Sequence, residues 1–254
     1  MKTTTDDGIL RVTFDRPDSM NAFRGETAIE LAGVLSEADP KQHHAVVLTG
    51  EGKAFSAGGD IEAMAEREEG ATDAYERVRE TFGRLFEEMF ECRVPIVARV
   101  NGDAVGAGLS MTALSDFAFA SEDATFSCAF VRVGLIPDTG GTFLLPKLLG
   151  LRTAKQLAFT GEFFSADEAD AYGLINEAVA PEELDDRVAE TVETLRRRPS
   201  ETIGLMKRAI HENLGRHWSE SIDYENSVQV QAYLSDAHEE GVSAFLEDRT
   251  PDFE

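Results

Sequence analysis

Cysteine is nearly absent from this chain of 254 residues: Cys92 and Cys128 stand far apart, and no C-x-x-C spacing occurs. That excludes a disulfide framework, gives no zinc signature and implies a reducing compartment, the cytoplasm. Also missing is any apolar run approaching the roughly 20 residues that span a bilayer, and Met1 to Asp7 hold no apolar stretch of the secretory kind. Basic residues are few, 24 Lys and Arg against 48 Asp and Glu, for a formal net charge of −24. Such a field repels nucleic acid and anionic membrane surfaces. Lysine is scarcest, with six against eighteen arginines. This bias resembles that of proteins from salt-loving cells, where salt screens carboxylate repulsion; an ordinary acidic cytosolic protein is the alternative. No histidines share metal-site spacing: His43-His44 lies in a turn, and His211, His217 and His238 are spread over predicted helices, so no metal is expected.

What is present reads as one main α/β domain. Ile9 to Phe14 and Ala45 to Thr49 have strand character, and Glu26 to Ala38 between them is an amphipathic helix. Thr72 to Cys92 carries apolar residues at a helical period, and Pro95 then introduces a strand over Ile96 to Val100. Further strands are predicted at Phe117 to Ala120 and Thr125 to Ser127. From Leu144 onward the pattern is mostly helical, punctuated by Gly150, Gly161 and Gly173, with one late extended piece at Leu174 to Val179. We divide the chain into a core of residues 1–198 and a helical C-terminal region of residues 199–254 that packs on that core or on a neighbouring subunit.

Three segments bear on chemistry. Lys53 to Met64 places Gly58 and Gly59 after a buried strand, where bare backbone N–H groups allow close approach, although such a pair is by itself a common turn. Pro95 to Ser110 is a strand, a turn punctuated by Gly102, Gly106 and Gly108, and an apolar helix whose N-terminus suits an anion or a polarised carbonyl. Its spacing is not that of a dinucleotide-binding G-x-G-x-x-G turn. Val133 to Thr142 sets Asp138 in an apolar, glycine-bounded loop. There it can cap the following helix or, if desolvated, carry a proton.

Together and in this order, these segments resemble the crotonase (enoyl-CoA hydratase/isomerase) family. Arg16-Pro17, Met20-Asn21-Ala22, Gly173-Leu174-Ile175 and the terminal Glu240-to-Phe245 stretch extend the likeness over nearly the whole chain. The resemblance implies an α/β fold, the ClpP-like crotonase fold of repeated ββα units, assembled as a homotrimer or a dimer of trimers. It implies an acyl-CoA thioester substrate, with coenzyme A as part of that substrate and no separate cofactor. The amides of Gly59 and Ala107 would grip the thioester oxygen, with alanine standing where many relatives have glycine. CoA would be held at Ala57, Gly58, Asp60, Ile61 and Gly106, with Phe130 lining the acyl pocket. Some relatives have lysines for CoA phosphates where this chain has Glu62 and Asp248, so Arg249 or a neighbouring subunit would have to compensate.

Hydratases of the family use two glutamates, and the matching positions here are Ser110 and Phe130, neither of which exchanges protons near neutrality. What remains is Asp138, which matches an aspartate of the epoxyphenylacetyl-CoA isomerases. The reading is therefore a shift of a double bond, from 3-enoyl-CoA to 2-enoyl-CoA or a related ring isomerisation, through a stabilised thioester enolate. Alternatives are hydration, another crotonase reaction such as thioester hydrolysis or decarboxylation, and a non-catalytic acyl-CoA-binding protein. Glu62, Glu66, Glu68 and Glu69 read as a solvated face, although the segment could bring one carboxylate near the acyl group.

Overall fold

The structure, a computed structural model, describes residues 1–253. The chain opens with a hairpin of β1 (Lys2–Asp6) and β2 (Ile9–Phe14), joined by Asp7-Gly8. Both turn residues have positive φ, +44° and +73°, the twist a two-residue hairpin turn needs. Helix α1 (Gly25–Ser36) leads to β3 (Ala45–Gly50), β4 (Ala54–Ser56) and the short α2 (Ile61–Ala65). Helices α3 (Ala71–Val78) and α4 (Arg84–Glu91) are joined by a π turn over Arg79–Gly83. Thr81 Oγ1 donates back to the Arg77 carbonyl there at 2.7 Å, drawing off one helical acceptor. Then follow β5 (Ile96–Val100), β6 (Asp103–Val105), α5 (Ala107–Leu114), β7 (Phe117–Ser121), β8 (Thr125–Ser127) and a 3₁₀ turn over Ala129–Val133.

The remaining elements are α6 (Gly141–Leu148), α7 (Leu151–Thr160), β9 (Phe163–Ser165), α8 (Ala166–Tyr172), β10 (Glu177–Val179), α9 (Leu184–Arg196), α10 (Ser200–Glu212), α11 (Trp218–Tyr233) and α12 (Asp236–Leu246). Gly161 and Gly173 close α7 and α8 in the left-handed conformation, as their placement suggested. Of the extended piece expected over Leu174 to Val179, Glu177–Val179 forms the strand.

Two sheets organise the core. The larger has the order β1-β2-β3-β5-β7-β10, parallel apart from β1, and the smaller the order β4-β6-β8-β9, parallel apart from β9. Each of β3, β5 and β7 lies in the large sheet and passes by a tight turn to β4, β6 or β8 in the small one. This is the repeated ββ unit, followed by α2, α5 or the 3₁₀ turn. Both faces of β3 are buried: Val46 and Leu48 join the main core, while Ala45 and Val47 pack with Leu184, Val188 and Leu195 of α9. A strand covered on both sides must be apolar throughout, hence the unbroken run in the sequence.

One end of the small sheet therefore presents, side by side, the chain leaving β4 at Ala57, β6 at Gly106 and β8 at Cys128. At the far side of the molecule α10 is fastened to the core by buried Lys207, whose Nζ lies 2.6 Å from Asp116 Oδ2; that carboxylate also accepts the Ile96 amide at 2.7 Å. By contrast α11 buries only Val228 and α12 only Ala244. Among the described residues no helix is long and apolar enough to cross a membrane.

Candidate active site

The loop after β4 is shaped by hydrogen bonds from the N-terminal segment. Asn21 is buried, and its amide side chain donates to the carbonyls of Glu51 and Ala54 while its Oδ1 accepts from the Arg16 amide. Ser56 Oγ donates to the Asn21 carbonyl and accepts the Gly58 amide at 3.1 Å. The Phe23 amide then donates to Gly58 O and the Asp60 amide to Phe23 O, locking the loop to its neighbour. Asp60 caps α2 by accepting the Ala63 amide at 3.1 Å and takes charged hydrogen bonds from Arg24 at 2.8 Å and Arg16 at 2.9 Å. The Arg24 contact, the Ala63 amide and Arg16, in that order, hold its carboxyl far below the usual carboxylate range. Asp60 thus fixes the loop and has no basicity to offer near neutrality.

Gly58, at φ +87°, meets the loop after β6. A Cβ there would lie 2.7 Å from the Val105 carbonyl oxygen and 3.2 Å from the Ala107 amide nitrogen, so only glycine fits. Gly106 precedes α5 and donates its amide to Ser127 O at 2.9 Å. The whole of α5 is buried and sits directly on β4, since a Cβ at Gly108 would come within 2.4 Å of Ser56 O. Ala107 is the first residue of this helix, so its amide has no acceptor within it. Among the described residues the Gly59 amide also has none. Two adjoining loops thus each present an unpaired N–H group.

The third loop, between the 3₁₀ turn and α6, holds Asp138. Its carbonyl accepts from Ser110 Oγ at 3.1 Å and from the Gly141 amide at 2.8 Å, while its carboxylate takes the Thr139 hydroxyl, at 3.1 Å, and no cation among the described residues. Helix α6 starts after Gly140 with no side-chain cap, so the backbone of Asp138, not its carboxylate, serves the helix start. Burial pushes the Asp138 carboxyl above its ordinary value, opposed in part by the Thr139 hydroxyl and its own backbone amide. Asp138 borders a cavity of about 570 Å³ whose wall is largely apolar, with Ile61, Met64, Val78, Phe82 and Leu135. The Met64 methyl lies against Gly59, where a Cβ would come within 2.3 Å of it.

A double-bond chemistry that passes through an enolate needs two things: donors for an oxyanion and a proton carrier of moderate pKa. The model of the family described as enoyl-CoA hydratase/isomerase matches residues 4–254. The chain belongs to this family. Among its similar relatives, a probable enoyl-CoA hydratase of Rhodobacter capsulatus is 35% identical over 97% of this chain and 95% of its own length. The 1,2-epoxyphenylacetyl-CoA isomerase of Escherichia coli is 34% identical over the same shares. The crystal structure of an enoyl-CoA hydratase of Mycobacterium smegmatis superposes with a TM-score of 0.92 at 30% identity, covering 99% of this chain and 98% of that one. This is the crotonase fold, and acyl-CoA thioesters are the family's substrates.

Of the residues singled out in the sequence, Ala57, Gly58, Gly59, Gly106 and Ala107 lie on the two adjoining loops, and Ile61 and Asp138 border the cavity. Phe130 is packed in the main core and is not among the residues that border the cavity; Val133 and Leu135 of the same segment are. Ser110 touches the Asp138 loop through the carbonyl and so positions it. Arg249 is paired with Glu240 and Glu247. In the sequence Arg16 and Asn21 stand out only as family resemblances and Arg24 not at all; their task, shaping the loop before Gly59, depends on partners 30 to 44 residues away. Among the described residues no group of three His, Cys, Asp or Glu side chains could hold a metal ion.

Proposed function

We propose that the protein shifts the double bond of an enoyl-CoA, converting a 3-enoyl thioester to its conjugated 2-enoyl isomer or rearranging a related ring substrate. The observation that carries this is the Asp138 carboxyl, raised by burial at the edge of an apolar cavity and free of any cationic partner. In the proposed cycle the Asp138 carboxylate takes a proton from C2 of the substrate. The electron pair delocalises onto the thioester oxygen, where the amides of Gly59 and Ala107 stabilise it; Asp138 then returns the proton to C4 as the double bond settles between C2 and C3. Each such donor is worth roughly 3–4 kcal/mol of barrier. CoA would run along Ala57 to Gly59.

The positions that hold the hydratase glutamates in the resemblance carry Ser110 and Phe130, and both are buried and engaged elsewhere. Hydration stays as a second reading because the Rhodobacter capsulatus and Mycobacterium smegmatis relatives carry that name. The exposed Trp218, Tyr233, Leu234 and Phe245 on or beside α11 and α12 support a homotrimer in which residues 199–254 meet a neighbouring subunit. The two buried free thiols fit a cytoplasmic setting.

The test is incubation with a 3-enoyl-CoA and, separately, a 2-enoyl-CoA in deuterated water, with mass spectrometry of the products. A conjugated product without added water is the expected result, and Asp138→Asn should lower its rate by about 10²- to 10⁴-fold while binding of a saturated acyl-CoA persists. Addition of water to the 2-enoyl-CoA, or normal turnover by the Asn variant, would overturn the reading.

A further inference from the structure

With carboxylates outnumbering basic groups two to one, most arginines of this chain have an acidic partner close by. Arg67, half-buried just beyond α2, borders the cavity that contains Asp138 and does not. Its nearest acidic candidate is already taken. Glu69 is held by Arg77, whose Nε lies 2.9 and 3.0 Å from the two carboxylate oxygens and whose Nη2 lies 2.6 Å from Oε1. Arg67 adds to the field that lowers the Glu69 carboxyl, after the Arg77 contact, yet makes no ion pair with it. Among the described residues no carboxylate contacts the Arg67 guanidinium, and Glu66 and Glu68 on either side are exposed and do not border the cavity.

The position of this charge is specific. Arg67 and Asp138 border the same cavity and form no ion pair with each other among the described residues. The same wall carries Met64, Phe82, Val133 and Leu135, apolar surface beside which a cation is poorly screened, together with the Glu69 and Arg77 side chains that are paired with each other. The cavity meets the loop after β4 through Met64, whose methyl lies against Gly59, and it holds Asp138 at its border; we read it as the space for the acyl group beside the unpaired Gly59 amide.

We infer that Arg67 is a specificity-determining residue that binds an anionic oxygen at the far end of the acyl group. The substrate class is then an enoyl-CoA whose acyl part ends in a carboxylate, with its hydrocarbon spacer against Met64, Phe82 and Leu135. This rests on the acyl-CoA reading of the cavity, but not on which proton is moved. A planar guanidinium pairs with a carboxylate through two parallel hydrogen bonds, which an ammonium does not reproduce.

Equilibrium binding by calorimetry, with unreactive saturated thioesters of equal chain length, hexanoyl-CoA and adipoyl-CoA, tests it on the wild-type protein, Arg67→Gln and Arg67→Lys. The wild type should bind adipoyl-CoA about 10- to 100-fold more tightly than hexanoyl-CoA, the range of a charge-assisted hydrogen-bonded pair. Arg67→Gln should bring that ratio close to one, and Arg67→Lys should keep part of it. Equal affinities in the wild type would overturn the inference. So would an Arg67→Gln variant that binds both thioesters and free CoA more weakly by one common factor, since the guanidinium would then be reading a CoA phosphate. Binding of neither thioester would sink the acyl-CoA reading as a whole, a result distinct from equal binding, which sinks the inference alone.

Discussion

Asp138 borders the cavity and Asp60 is buried in the loop just before Ile61, and their surroundings drive the two carboxyls in opposite directions. Burial without a cation raises Asp138, so its protonated form is the one the fold favours, and stability is lost as pH rises through that raised pKa. Asp138→Asn should therefore be more stable than the wild type at pH 8, on the order of 1 kcal/mol, and the gap between their melting temperatures should close as pH falls and Asp138 protonates. A variant less stable than the wild type at pH 8 would contradict this account. The rate of a base-dependent step should fall over the same acid range, above the usual carboxylate value near 4. Asp60 behaves inversely: its depressed pKa contributes stability above the ordinary carboxylate range that is lost as pH falls below it. Because asparagine can still accept the Ala63 amide and Arg24 is half-exposed, most of what Asp60→Asn removes is the charge-assisted bonding to Arg16 and Arg24, about 1–2 kcal/mol. For a chain of this size that is a drop of some 2–8 °C in Tm, constant from pH 7 down to about 4 and shrinking below. A gap that grew on acidification would refute the assignment.

At the scale of elements, the site depends on how closely β4 and β6 bring their loops together. Gly58→Ala would push against the Val105 carbonyl and the Ala107 amide while leaving the sheets intact. We expect a loss of about 10²- to 10³-fold in kcat with little change in the circular dichroism spectrum; a fully active variant would mean that these amides do not hold the oxyanion. The long strands β2, β3, β5 and β7 were legible in the sequence because each is a continuous or alternating apolar run. Strands β4 and β6 were not, since each runs straight into a glycine-rich loop that masks it and their partners lie in other ββ units. Strand β1 is exposed throughout and polar, and only Asp7-Gly8 could have announced it. Likewise the glycines and Asp138 were visible as a pattern, whereas the cavity wall around Arg67 and Met64 required the packing of α2 and α3 against the segment from Val133 to Asp138. Neither the π turn nor the ties of Glu69 to Arg77 leaves a mark in composition or spacing.

For the molecule as a whole, a formal net charge of −24 on 254 residues works against any compact state at low ionic strength. Raising KCl from about 0.1 M, where the Debye length is about 10 Å, to above 1 M, where it is about 3 Å, should screen this repulsion and raise Tm by several degrees. The Asp60 contacts, being partly shielded, should lose less than the surface pairs do. A melting temperature indifferent to salt would mean that the carboxylates are balanced locally and that the acidic bias has another origin. The two unpaired amides of Gly59 and Ala107 also bear on inheritance. A peptide N–H survives every substitution except proline, whereas a carboxylate is lost to a single base change. If these amides hold the thioester oxygen as proposed, a lineage built on this arrangement can discard one proton carrier and recruit another while that grip passes unaltered from ancestor to descendant.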